Sequence, residues 1–326
     1  MNKVKWMKWN RYSGPRIKGT TPYHLPDDAD HWERVLWLTS IVESGGKFGA
    51  VIAYDGTGTT AGLTQCIAVY PRELRNEDNN PNDDQGILWK LIEEVRKDNP
   101  ELLQRLDEEF KEIGWFISPG GQVLHRAGGE IVLGRLLRDE LTPPSRGAVP
   151  RRGEHWDGAK GWALIFHDIF ADPKSFDAQI TFATEHTHKV AKRKPKALRG
   201  KTIQEIIYED HLEQLGPSWN KEDPLDLAMS VFWSNSVNAP AIAFSKLQRA
   251  VNILKGSSGT SPLDLSLSYH REVMARRLVR LLGTSSYGRW NASEPNGRYQ
   301  RTRKAAKKVW PARFFKGPKA LMPRRL

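Results

Sequence analysis

Glu43-Ser-Gly-Gly-Lys-Phe-Gly-Ala-Val-Ile-Ala-Tyr-Asp55-Gly-Thr-Gly-Thr-Thr-Ala-Gly-Leu-Thr-Gln65 sets one carboxylate ahead of a run of Gly, Thr and a single Asp, which reads as a loop. Immediately upstream, Asp30-His-Trp-Glu-Arg-Val-Leu-Trp-Leu-Thr-Ser-Ile-Val-Glu43 puts Trp32, Val35, Leu36, Thr39 and Val42 on one face at helical spacing. Asp27, Asp28 and Asp30 are available as N-caps. The spacing predicts a helix over 28–43 that ends on Glu43, beside Gly45 and Gly46. A carboxyl at that position meets the negative end of the helix dipole and loses part of its hydration. Both effects raise its pKa toward the range useful to a general acid. The competing reading is a helix-ending Glu in water, since Glu is seldom buried.

Three matches in this stretch carry a family resemblance. Glu43-Ser44 at a helix end resembles the Glu-Ser that opens the catalytic motif of lytic transglycosylases, in which the Glu is the acid. Gly62-Leu63-Thr64-Gln65 is similar to the Gly-Leu-Met-Gln that follows there, with Thr64 in place of Met and the sugar-contacting Gln retained. Tyr54-Asp55 with Thr60-Ala61-Gly62 resembles the Asp and Thr-x-Gly of phage lysozymes, where Asp and Thr bracket the water side of the scissile bond. The segment thus resembles the lysozyme superfamily: goose-type lysozymes, soluble lytic transglycosylases and phage lysozymes. The Glu43–Asp55 spacing is nearer the goose type than the phage type. The resemblance implies a mainly α, α+β, two-lobed lysozyme-like fold with a small hairpin beside the cleft and large helical insertions.

It also implies a peptidoglycan-degrading glycosidase or lytic transglycosylase that cuts between N-acetylmuramic acid and N-acetylglucosamine. Glu43, Asp55 and Thr60 are the candidate catalytic residues; Tyr54, Thr59 and Gln65 are candidate substrate contacts. If Asp55 with Thr59 or Thr60 holds a water, the product is an inverted sugar and the two carboxyls stand ~6.5–9.5 Å apart. If Asp55 is structural, the muramyl 6-hydroxyl closes a 1,6-anhydro ring. The sequence leaves both outcomes open.

Composition bounds the rest. With 326 residues, 39% hydrophobic and 27% charged, the chain is long enough for one large or two ordinary domains with a buried core. No apolar run approaches the ~20 residues of a membrane-spanning helix. Lys3, Lys5 and Lys8 are followed by no continuous hydrophobic segment, so no cleavable secretion signal is expected. The lone Cys66 excludes an intramolecular disulfide, as suits synthesis in a cytosol or a particle assembled there. A wall-directed enzyme of this kind needs delivery, which points to a phage lysin or a virion-associated one.

The formal charge of +12 asks for a polyanionic partner. Peptidoglycan glycan strands, an anionic wall polymer and nucleic acid all qualify, and basic runs at 189–201 and 298–325 are the candidate contacts. A solvated loop and tail account for them equally well. Other virion proteins are further candidate partners. Twelve tryptophans suit a saccharide cleft, because indole stacks on the apolar faces of sugars.

The chain divides on this reading into a basic arm at 1–26, a catalytic domain at 27–316 with a lobe boundary near 142–156, and a basic tail at 317–326. A helix is expected to start in 66–74, where Pro71 cuts it. Two helices follow within 87–113, separated at Asn99-Pro100, and a hairpin within 115–125 turns at Pro119 to Gly121. Helical patterns continue at 131–141, 162–170, 172–189 and, in several pieces, 202–282.

Trp233 and Asn238 in Ala228-Met-Ser-Val-Phe-Trp-Ser-Asn-Ser-Val-Asn-Ala-Pro240 loosely resemble the aromatic and amide of the transglycosylase Ala-Tyr-Asn-Ala-Gly-Pro; an ordinary helix stop is the other reading. Tyr299, within Asn296-Gly-Arg-Tyr-Gln-Arg-Thr-Arg, is a further candidate groove residue. No metal or other cofactor is expected. His186 and His188 lack a third ligand at zinc spacing, Gly56-Thr-Gly-Thr-Thr lacks the Lys of a phosphate loop, and no Gly-x-Ser-x-Gly elbow occurs. The alternative to an enzyme is a structural or nucleic-acid-binding virion protein on a lysozyme-like body.

Overall fold

The computed structural model describes residues 16–26, 28–29, 31–55, 58–69, 85–118, 124–132, 134–141 and 157–192, together with Lys304 and Lys307. The chain divides into two compact units, one of Met1–Tyr23 with Lys47–Ala183 and one of His24–Gly46 with Thr184–Leu326. Helices and two small antiparallel sheets make up the described residues, an α+β architecture. The expected boundary at 142–156 lies outside the described residues.

In the first unit, a four-stranded antiparallel sheet runs in the order β1 (Arg16–Ile17), β2 (Val51–Asp55), β3 (Gly58–Ala61), β4 (Cys66–Ile67). This corrects two expectations. Much of the loop read between Glu43 and Gln65 is the β2–β3 hairpin, and residues 66–67 form a strand where a helix was expected. The reason is pairing: Val51 and Ile52 face Ala61 and Thr60, and those two face Cys66 and Ile67 in turn. β-branched side chains suit such a ladder and lose freedom in a helix. Arg16 and Ile17, within the expected arm, pair with Ile52 and Val51.

The helices that follow agree with the periodic pattern. α2 (Leu88–Asp98) buries Leu88, Trp89, Leu91, Ile92 and Val95 on one stripe. It stops at Asn99 because Pro100 bars a helical residue before it. A 3-10 turn, Pro100–Leu103, leads into α3 (Gln104–Glu112). Arg96 returns from α2 to Asp107 on α3 with two 2.6 Å hydrogen bonds. The expected hairpin forms, with β5 (Trp115–Ile117) pairing with β6 (Leu124–Arg126). α4 (Gly134–Leu141) starts three residues later than expected, because Ile131 bridges to His125. α5 (Asp157–Ala171) and α6 (Phe176–Ala191) flank a 3-10 turn, Pro173–Ser175, capped by the Asp172 carboxylate on the Lys174 amide.

Trp89, Phe110, Phe166 and Phe170 are fully buried at the centre of this unit's core. Phe110 stacks on Trp162 at 4.8 Å, and the Trp89 indole donates to the Ala68 carbonyl at 2.8 Å. Burial of each such ring stabilises the fold by about 2–3 kcal/mol.

In the second unit, α1 (His31–Glu43) buries Val35, Leu36, Leu38, Thr39 and Val42, including four of the five residues expected on its inner face. Its buried polar groups find local carbonyls: Thr39 donates to Val35, Ser40 to Trp37, and Arg34 to Ala29 at 2.6 Å. Trp32, half-buried, lies against His188 with ring centroids 4.9 Å apart.

Candidate functional site

Glu43 is the last residue of α1 and is half-buried. The helix closes there because the Ser44 and Gly46 amides both return to the Ser40 carbonyl, at 2.8 and 2.9 Å. Such a reversal needs left-handed backbone, and Gly45 and Gly46 supply it at φ of 76° and 71°. Ser44 adds a hydroxyl bond to the same carbonyl. The carboxylate therefore stands at the helix end that its sequence position predicted.

The remaining described candidates belong to the first unit. Tyr54 and Asp55 close strand β2, and Asp55 pairs with Gly58 across the hairpin end after a register shift from Ile52. Thr59 is fully buried, and its hydroxyl reaches the Leu141 carbonyl at 3.4 Å. Thr60 and Gln65 are brought together: the Thr60 hydroxyl donates to Gln65 Oε1 at 3.1 Å. Gln65 Nε2 then donates to the carbonyls of Ala50 and Gly62, both at 2.9 Å. Both amide hydrogens of Gln65 thus hold main chain. The hydrogen-bonding capacity left over is acceptor capacity, a second lone pair on Oε1 and the Thr60 oxygen. Gln65 does this at φ 55°, a left-handed backbone unusual for a residue with a side chain. Trp233, Asn238 and Tyr299 lie outside the described residues.

Several residues that hold this framework had no signal in the sequence. Gln179 on α6 accepts from the Leu63 amide at 3.0 Å and donates to Phe170 O and Ser175 Oγ, which pins the Gly62–Gln65 turn from 116 residues away. The buried His167 on α5 bonds through Nδ1 to the Gly49 carbonyl at 2.5 Å. Gln85 bonds to Leu124 N, Leu124 O and Val132 O, fixing β6. An amide or imidazole at an arbitrary sequence distance carries no periodicity that would reveal such a contact.

Cys66 sits in strand β4, 1% exposed, with its Sγ 3.6 Å from Thr64 Oγ1. Burial pushes its thiol up to about 12, against a smaller lowering by the Thr64 hydrogen bond, so it is an inert thiol. Among the described residues, no cluster of three or more His, Cys, Asp or Glu is placed to hold a metal ion, and no helix is long and apolar enough to cross a membrane. No known protein family, curated protein or solved structure matches the chain.

Proposed function

We propose that this chain cleaves the β-1,4 bond between N-acetylmuramic acid and N-acetylglucosamine in peptidoglycan, with Glu43 as the general acid. The observation that carries the reading is the order along the chain around Glu43. An apolar helix ends on this half-buried carboxylate at a double-glycine reversal, and a short antiparallel hairpin with Asp55 at its end follows. The Glu-Ser and Gly-Leu-Thr-Gln matches fall at the two ends of that arrangement. A lysozyme-like fold is part of the proposal.

In the reaction, protonated Glu43 donates to the glycosidic oxygen and positive charge develops at the anomeric carbon. Asp55 then acts on a water, giving a reducing end, or the muramyl 6-hydroxyl attacks and returns its proton to Glu43, giving an anhydro end. Tyr54, Thr60 and Gln65, with Trp233, Asn238 and Tyr299, are the proposed sugar contacts on their sequence matches, and Thr59, fully buried on the Leu141 carbonyl, supports the hairpin. The setting proposed is a phage-type or virion-associated lysin, with the basic runs holding an anionic wall polymer.

Glu43→Gln keeps the shape and removes the acid, so release of muropeptides from purified cell walls is expected to fall by about 10²–10⁴. Wild-type release by that variant would end the proposal. Mass spectrometry of the products separates reducing from anhydro ends. A non-catalytic virion role is the second reading. The observation in its favour is that Thr60 and Gln65 are engaged with each other and with main chain. Inactive wild-type protein with a salt-dependent DNA shift would select it.

A further inference from the structure

The two large hydrophobic side chains exposed among the described residues, Ile113 and Phe116, both lie where α3 gives way to β5. Beside them opens a cavity of about 360 Å³, lined by Arg96, Asp107, Lys111, Trp115, Phe116 and Ile117 among others. That volume lies at the small end of ligand sites. All of these residues belong to the first unit.

The lining has a specific chemistry. Trp115 and Ile117 are half-buried with one side packed on the core, whereas Phe116 is 41% exposed and is backed by the His125 ring at 5.6 Å. Aromatic surface is thus held rigidly by the hairpin. Between the helices, each Asp107 oxygen takes one 2.6 Å bond from Arg96, and the Asp107 side chain remains 42% exposed. A carboxylate oxygen has more than one acceptor site, so the fixed carboxylate keeps lone pairs for incoming hydroxyls.

Charge decides the ligand class. Arg96 is compensated by Asp107 and by Glu93 at 3.5 Å. Lys111 lies one helical turn from Glu108 on its own helix. Beyond the Arg96–Asp107 pair the lining carries one cation, Lys111, far fewer than the several a phosphate backbone needs, which disfavours nucleic acid. A pyranose ring fits what is offered, with apolar C–H faces for the aromatic rings and hydroxyls for the carboxylate.

We propose that this groove between α3 and the β5–β6 hairpin binds a neutral saccharide of the N-acetylhexosamine type. The N-acetylated sugar rests on the reading of Glu43 above; the saccharide class rests on the groove alone. The test uses full-length Glu43→Gln protein, which leaves the probe intact, and the β-1,4-linked N-acetylglucosamine tetramer. Calorimetry is expected to give saturable binding, with the amide resonances of Phe116 and Ala127 shifting in ¹⁵N spectra. Phe116→Ala, on an exposed side chain, is expected to weaken binding about tenfold without changing the melting temperature. Asp107→Asn should weaken it as well. No binding at millimolar tetramer overturns the proposal, as does wild-type affinity in both variants or displacement of the tetramer by a single-stranded oligonucleotide. The binding result stands apart from loss of activity in Glu43→Gln, so either proposal is able to fail alone.

Discussion

Replacing Gln65 tests whether its side chain is what holds the turn between β3 and β4. Gln65→Ala removes the bond from Thr60 and the two to Ala50 O and Gly62 O. The two carbonyls keep one main-chain donor each, Gly62 N at 3.1 Å and Gln65 N at 3.2 Å, so neither is orphaned. The cost is therefore at least the net value of three hydrogen bonds, about 3 kcal/mol, since the buried Thr60 hydroxyl also loses its acceptor. Gln65→Gly loses the same bonds but relieves the left-handed backbone at φ 55°. That relief, about 1–2 kcal/mol, outweighs the extra freedom glycine gives the unfolded chain, about 0.4–1 kcal/mol. Glycine should therefore be the more stable replacement by about 0.5–1 kcal/mol, the reverse of the usual order.

Urea unfolding followed by far-UV circular dichroism measures both variants. At a typical slope of about 2 kcal/mol per molar, the alanine midpoint should fall by about 1.5 M and the glycine midpoint by somewhat less. Hydrogen exchange at the Gly62 amide, which donates to Ala50 O, gives a local readout. An alanine variant within about 1 kcal/mol of the native protein, or one more stable than the glycine variant, would refute the reasoning.

Gly49→Ala should destabilise the fold by about 2–4 kcal/mol, since a Cβ there lies 2.6 Å from that of Ala171 and the backbone is left-handed at φ 75°. Adding Ala171→Gly should recover only part of the steric cost, because the Ala171 Cα and N still lie 3.0 and 3.2 Å from the new Cβ; full recovery in urea melts would show that neither those contacts nor the left-handed backbone carries strain. Cys66, with its thiol pushed up to about 12 by burial, should resist a disulfide reagent at pH 8 until urea unfolds the chain; prompt modification of native protein would contradict its burial. The exposed Glu101–Lys174 pair, 2.6 Å apart, holds the Glu101 carboxyl below its ordinary value through the Lys174 hydrogen bond and raises Lys174. Its contribution is present above the ordinary carboxylate value and lost as pH falls through the lowered one; at the alkaline end it is lost as pH rises through the raised lysine value. Lys174→Met should move the Glu101 titration, read by carboxyl carbon shifts, up toward the ordinary range, with the backbone hydrogen bond at Glu101 keeping part of the lowering, and 1 M salt should reduce the native shift.

The same contrast in range separates what was legible beforehand from what was not. The end of α1 at Glu43, the break at Asn99-Pro100 and the hairpin at Trp115–Ile117 and Leu124–Arg126 were all readable. Each depends on near neighbours: an apolar stripe, a proline that bars a helical residue before it, and a glycine-rich turn between apolar runs. Glu43 was legible as a candidate for the same reason, because a helix end is a local event.

The sheet around Asp55 was not legible. Its strands are two to five residues long, too short for a period to declare itself. Cys66 and Ile67 are strand because Thr60 and Ala61 offer a ladder, and β2 gains its outer partner from Arg16–Ile17, more than thirty residues earlier. Thr59, Thr60 and Gln65 read as loop residues that meet substrate or its water, yet they are buried, because Leu141 O and the Thr60–Gln65–Ala50 network satisfy them. By itself the sequence determined where helices end, where the chain turns and which carboxylate stands at a helix terminus, since those depend on residues within a few positions. Tertiary structure alone decided which short segments became strands and which polar side chains went inside. A backbone or amide group accepts burial only when a partner meets it, and here Gln179 and His167 reach theirs from 116 and 118 residues away.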